Sequence, residues 1–394
     1  MKRRAFIKSM GLGGTAIYIP SSLTISSLLN EAYAASPDYE SVNYTLPDTS
    51  PTASSNAFPQ VINIFLYGGP SELAGNLTNI QEIETTSQNS YEDNIPGITR
   101  LQNDANPGLI TPHGFWSGAG GDAMEFLINQ GHMTVYRTMM KRFQDTGSHR
   151  QSIFMNQKGT LDIENTPGIG TRIAKMLETH VGTGNAVFQH PSLGNRTLAN
   201  LVLPFVSFEG DTVLYAPDPE NPLDLLQLKA VTLNDNFDNP YTRNNNPNDA
   251  ILESLVNTVI TQAERTRFSK IVEGFELRAT MESFIGNLQT SFNSGLPAVS
   301  DAADQATDFD AGTGQLVYPN NNSFSRQVRA AVTLAIENPD SKFITVSNSG
   351  LGGFDDHNNG RDNYPDRMED LFETLRAAMK HIKYSGTQTA GVAS

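Results

Sequence analysis

The sequence predicts an α/β protein, and three observations carry the prediction. Residues 61–67 are apolar almost throughout, as a strand covered on both faces must be, residues 342–348 form the clearest strand-like run in the chain, and each run ends in a Gly-rich turn. Amphipathic helical patterns stand on both sides of the second run. A helical segment followed by a turn glycine and a strand-like run recurs at residues 122–138, the order that builds an α/β layer.

Taken in chain order, residues 35–57 are rich in Ser, Thr, Pro and Asn without apolar period, which reads as a solvated linker, so order is expected from about Phe58. The run 61–67 is interrupted only by Asn63 and stopped by Gly68-Gly69-Pro70. Residues 122–130 read as a short helix, Gly131 as its turn and 132–138 as a second strand. Thr166-Pro167 has the form of an N-cap with proline at the first helical position, and Ile169, Ile173, Met176 and Leu177 mark one face of a helix ending near His180. Residues 201–208 and 212–216 flank Glu209-Gly210-Asp211 and read as a hairpin or a strand that bends.

Residues 217–322 have the composition of a loop and helical insertion. Asn, Asp and Pro crowd 217–250, helical spacing over 250–292 predicts two or three helices, and 294–322 is acidic and loop-like. Asp301, Asp304, Asp308 and Asp310 match no twelve-residue calcium loop and read as a solvated charge run. A helix from Ser323 carries Val328, Val332 and Ile336 at four-residue spacing up to Asn338-Pro339, and the strand 342–348 follows. Residues 364–384 place Met368, Leu371, Phe372, Leu375, Met379 and Ile382 on one helical face.

The N-terminus reads as an export leader. Arg3 and Arg4, one variable residue, Phe6 and Lys8 form a twin-arginine pattern, with Lys2 where Ser or Thr is commoner. A mildly apolar stretch leads to Ala32-Tyr33-Ala34, whose Ala32 and Ala34 satisfy the small-x-small rule for cleavage after Ala34. A membrane anchor is the rival reading, disfavoured by Gly11, Gly13, Gly14 and Pro20. The expected organisation is therefore a signal peptide over 1–34, a linker over 35–57 and a single domain over 58–394. The expected partners are the twin-arginine translocase and signal peptidase, with no stable membrane span after cleavage and a periplasmic or secreted destination.

Of 394 residues, 27 are basic and 42 acidic, a formal charge of −15; loss of Lys2, Arg3, Arg4, Lys8 and Glu31 leaves 23 and 41, or −18. Such a surface repels phosphate backbones and anionic lipid, so nucleic acid is not an expected partner. The chain has no cysteine, which excludes disulfides, thiolate metal sites and a cysteine nucleophile.

Ligands of open α/β sheets bind beyond the carboxyl ends of the strands, which singles out two Gly-rich turns. One is Gly68-Gly69-Pro70-Ser71-Glu72, and the other runs from Gly352 to Asn359 and holds Asp355 and His357. A carboxylate and an imidazole in one tight loop are natural ligands for a divalent metal, and the alternative is turn chemistry with a cap for the next helix. A third candidate is the loop from Thr146 to Ser152, in which His149 is a ligand or general base and Arg150 holds an anionic substrate oxygen; its alternative is a polar loop leading into a helix. Ser71, Ser148 and Ser152 lack a Gly-x-Ser-x-Gly elbow, so serine-hydrolase chemistry gains no support.

Together, the leader, the strand followed by Gly68-Gly69-Pro70-Ser71, the Gly147 to Gln151 loop and Gly352-Gly353-Phe354-Asp355-Asp356-His357 before an amphipathic helix resemble a known family. It is the exported family called domain of unknown function 1501, related to sulfatases and alkaline phosphatases. The resemblance implies a three-layer α/β/α alkaline-phosphatase-like sheet and, by superfamily analogy, a metal-dependent hydrolase of sulfate or phosphate esters. Asp355 and His357 would then hold the metal, His149 would be base or further ligand, and Ser71 would lie near metal or substrate. Three departures stand against this. Asp356 replaces a frequent Thr, the sulfatase signature of Cys or Ser followed by x-Pro-x-Arg is absent, and residues 385–394 lack the further strand and Asp-His-Gly or Asp-His-His segment of similar proteins. The sheet is therefore expected to be incomplete at its C-terminus, with half a metal site and little activity alone, as in a fragment or a shortened member. The rival expectation is a non-catalytic secreted or envelope protein that binds glycan or another exported protein.

Overall fold

The computed structural model describes residues 14–19, 59–68, 111–113, 115, 117–135, 148–181, 188–190, 193–218, 230–239, 269–354 and 360–388. Strand β1 (Gly14–Ile19) lies in the N-terminal apolar stretch, and β2 (Gln60–Phe65) is the next strand in the chain. Helices α1 (Gly121–Asn129), α2 (His149–Lys158) and α3 (Ile169–Val181) come next. Strands β3 (Phe188–His190) and β4 (Gly194–Arg196) pair with each other, whereas β5 (Phe205–Ser207) and β6 (Val231–Thr232) belong to the main sheet. The remainder comprises α4 (Ser269–Asn293), the hairpin β7 (Phe309–Asp310) with β8 (Gln315–Leu316), α5 (Ser323–Glu337), β9 (Phe343–Ser347) and α6 (Gly360–Gln388).

The main sheet has the order β1-β2-β9-β5-β6. Strands β2, β9, β5 and β6 are parallel, and β1 runs antiparallel along the outer edge of β2, with Gly14 opposite Phe65 and Ile19 opposite Gln60. The predicted mixed α/β class with a parallel sheet is thus present. Both runs became parallel strands of the main sheet, and all five residues of β9 are buried.

Strand periodicity divides the core in two. Ile62, Ile64, Val206, Ile344 and Val346 share one cluster with Met124 of α1, Phe324 and Val328 of α5 and Leu371 of α6. Val61, Phe205 and Phe343, one residue out of phase, pack with Ala174 and Leu177 of α3. Helix α5 is well specified at both ends. Asn322 Oδ1 accepts from Ser325 N at 2.8 Å, and Gln60 Nε2 donates to the Ala335 and Asn338 carbonyls at 3.0 and 2.9 Å, filling acceptors that a helix end leaves open. No helix among the described residues is long and apolar enough to cross a membrane.

Helix α6 crosses the start of α1 at Gly120, which has φ +78°. A Cβ there would stand 2.6 Å from the Met368 carbonyl oxygen, so the position needs glycine for both conformation and approach. Gly120→Ala is expected to destabilise the chain by about 1–3 kcal/mol, measured by urea unfolding.

Three expectations change. Residues 132–135 form no strand; the chain leaves α1 through bonds from Gly131 N to Ile128 O and His132 N to Leu127 O, and 136–138 lie outside the described residues. Residues 212–216 do not pair back on β5: β9 and β6 already occupy its two edges, and 213–215 form a single 3-10 turn capped by Thr212. Helix α3 begins two residues after Pro167, with Gly168 as the cap whose carbonyl accepts from Arg172 N. Of the two or three helices read over 250–292, the described part is α4, continuous over its 25 residues, and 250–268 lie outside the described residues.

The acidic segment 301–310 is not a uniformly solvated run either. Asp308 is bidentate with Arg376, at 2.7 and 2.9 Å, and also accepts from Lys380 at 3.1 Å. Asp304 accepts from Lys383 at 2.7 Å and from the Tyr384 hydroxyl at 2.5 Å. Burial pushes the Asp304 carboxyl up, but these two hydrogen bonds outweigh it and hold the group below its ordinary range. The cations of α6 turn this stretch into an anchor.

Candidate functional site

Parallel strands end on one side, so β2, β9 and β5 deliver the residues that follow them to a common edge. On the α3 side of the sheet the apolar pattern gives way near that edge. Asn63, Thr345 and Ser207 are laterally aligned across β2, β9 and β5, forming a polar row where an all-apolar strand face would be expected. Thr345 and Ser207 are buried; the Asn63 Nδ2 finds no hydrogen-bond partner, and the Thr345 hydroxyl faces the Glu209 carboxyl.

Two residues beyond Ser207 comes Glu209, and two beyond Phe65 comes Tyr67, both on this same side by strand alternation. Gln157 of α2 donates to the Tyr67 hydroxyl at 2.8 Å, and that hydroxyl donates to Glu209 Oε2 at 3.1 Å. The directed chain leaves Glu209 Oε1 buried and outside it, with no hydrogen bond of good geometry and the Thr212 and Thr345 hydroxyls nearby. Burial raises the Glu209 carboxyl above its usual value, partly countered by the Thr212, Tyr67 and Thr345 hydroxyls. Burial, reinforced by the Glu209 charge, pushes the Tyr67 phenol up to about 12. A carboxyl tuned upward and oriented by a phenol is suited to accepting and returning a proton, and its unengaged oxygen is a candidate ligand or base.

The backbone of Tyr67 ties the site to the second Gly-rich turn. Tyr67 N donates to Asn348 Oδ1 at 3.2 Å, and Asn348 Nδ2 donates to the Tyr67 and Gly352 carbonyls at 3.2 and 2.9 Å. Phe354 N donates to the Tyr67 carbonyl at 3.1 Å. Phe354 immediately precedes Asp355 in the chain.

Of the candidates read from the sequence, Ser71, Asp355 and His357 lie outside the described residues, as do the leader residues Arg3, Arg4, Phe6, Lys8, Ala32 and Ala34. His149 and Arg150 occupy the exposed first turn of α2, behind Ser148, whose hydroxyl accepts from Gln151 N. The Arg150 guanidinium lies 5.3 Å from the Phe154 ring centroid. Gln157, at the other end of the helix, is the residue that reaches Tyr67, so His149 stands roughly 12 Å further along the axis. Among the described residues no three His, Asp or Glu side chains cluster as a metal centre.

Tyr67, Glu209 and Gln157 were not candidates from sequence. Glu209 carried the usable signal, since it follows an apolar run and precedes a glycine, the same arrangement that singled out the other two turns. Comparison with protein-family models, curated proteins and solved structures gives no match to this chain.

Proposed function

We propose that this chain is an exported hydrolase of phosphate or sulfate esters, built on a three-layer α/β/α sheet, with its reacting centre over the carboxyl ends of β2, β9 and β5. The observation that supports this is the position of Glu209: a buried carboxyl with one unengaged oxygen, oriented by Tyr67, whose own carbonyl holds the residue before Asp355. Asp355 and His357 are the proposed ligands of a divalent cation, which would supply charge stabilisation to the ester oxygens. Glu209 takes up and returns the proton of the attacking group, and the Gln157–Tyr67 chain fixes which of its oxygens is available. Ser71 lies toward substrate in this reading, with His149 and Arg150 meeting its outer, anionic part.

The test is hydrolysis of chromogenic phosphate and sulfate esters by the purified full chain, with metal analysis. Glu209→Gln is expected to lower kcat by about 100-fold or more with an unchanged circular dichroism spectrum. A metal-supplemented wild type that cleaves none of these esters overturns the reading. One observation favours a second reading, a non-catalytic exported protein that keeps the scaffold for binding. His149 and Arg150 both face solvent at the end of α2 away from Tyr67, where a catalytic pair would be expected closer in.

A further inference from the structure

On the opposite side of the sheet from Glu209, a cleft of about 530 Å³ opens between the ends of β5 and β6 and the first turn of α5. Phe208 and Leu233 form its apolar floor, and Asn234, Asp235, Asp238, Ser323, Arg326 and Gln327 supply polar walls. Gln327 is the informative residue. It is only 9% exposed, it lines the cleft, and its Oε1 is buried without a hydrogen-bond partner. A buried amide oxygen left this way is unfavourable unless something donates to it.

The electrostatics narrow what that donor belongs to. Arg326 Nε is paired with Asp235 Oδ2 at 2.8 Å, so its charge is matched within the wall, and Asp238 adds a further negative charge. An anion at the start of α5 would therefore meet net repulsion. A bare cation is disfavoured too, because both carboxylates are already engaged, Asp235 by Arg326 and Asp238 by Asn234 Nδ2 at 2.5 Å. Strand β6 is two residues long, too short to pair with an extended peptide. What fits is a neutral molecule whose groups donate and accept at once and which also has an apolar face for Phe208 and Leu233.

We infer that this cleft is a saccharide-binding site, taking a neutral sugar whose hydroxyls donate to Gln327 Oε1 and meet the Asn234, Asp238 and Ser323 side chains. The site is separate from Glu209 and stands without the hydrolase reading. The test is binding of the full chain to an array of neutral and anionic glycans, followed by titration calorimetry with the best neutral oligosaccharide. Gln327→Leu is expected to weaken that binding by about 10-fold or more while the thermal unfolding profile is kept. If that variant does not fold, Ser323→Ala, which removes one half-buried hydroxyl from the same wall, is expected to weaken it severalfold. Failure of every neutral glycan to bind, unchanged affinity in the folded variants, or binding only of sulfate or calcium chloride used alone overturns the inference.

Discussion

Asp308→Ala lowers the unfolding free energy by about 3–5 kcal/mol, the expected cost of removing one member of a buried ionic cluster. The Asp308 carboxylate is 1% exposed, and it faces Arg376 and Lys380, whose side chains are 8% and 2% exposed. Without it, two cations remain inside the protein with less to balance them. Lys380 keeps the Asp304 and Thr307 carbonyls and the Thr307 hydroxyl, at 2.8 to 3.0 Å, and Arg376 keeps Glu373 at 3.2 Å. Those neutral and half-buried partners do not replace a bidentate carboxylate. Urea unfolding is the measurement, with Asp301→Ala as the comparison, since Asp301 is 52% exposed and its 3.5 Å pair with Lys383 contributes little. If stranded charge is the cause, adding Arg376→Leu and Lys380→Met to Asp308→Ala restores much of the loss. A midpoint for Asp308→Ala equal to that of Asp301→Ala would contradict the account.

Lys342→Met stabilises the protein at pH 6 by on the order of 1–4 kcal/mol, and the gain fades as pH rises toward 10. Lys342 stands at the amino end of β9 and is buried, with Nζ donating to the Pro339 carbonyl at 2.6 Å. Burial lowers its pKa to about 7, against the opposing pull of Asp340. Below pH 7 the ammonium is charged in both the folded and unfolded chains, and the folded state bears the full cost of burying it. Between about 7 and the ordinary lysine range near 10.4 the unfolded chain holds a proton that the folded one has released, so wild-type stability increases with pH. The neighbouring groups are Asp340, raised by burial, and His190, lowered by burial, with Arg196 contributing charge to both. Thermal unfolding at pH 6 and pH 10 checks the sign: a wild type that loses stability between pH 7 and 10 relative to Lys342→Met is incompatible with it.

The scaffold was more legible in the sequence than the site. Strand-like runs ending in Gly-rich turns identified β2 and β9, and apolar stripes identified α5 and α6, because burial of a strand or of one helical stripe leaves a local pattern. Strand β5 was read with the wrong partner, since a three-residue strand flanked by Glu209-Gly210-Asp211 looks like a hairpin unless the occupancy of both its edges is known. The same limitation hid the polar row. Asn63, Thr345 and Ser207 are far apart in the chain and become neighbours only through the register of three parallel strands. Gln157 was invisible for a related reason: a histidine in a polar loop draws attention, whereas the amide eight positions later acquires a role only through the direction in which α2 lies. The aspartates 304 and 308 resemble their exposed neighbours in sequence, and only the approach of Arg376, Lys380 and Lys383 separates them.

Strand β1 bears on what cleavage after Ala34, expected from the sequence, would do to the sheet. Its six residues shield the outer main chain of β2 from Gln60 to Phe65, and they belong to the stretch that a peptidase acting after Ala34 would detach. Such a cut would uncover amide and carbonyl groups ready to recruit a new neighbour. Processing would then change the molecule's capacity to associate as well as its address, and a precursor and its trimmed product would differ in self-assembly even with every other contact alike.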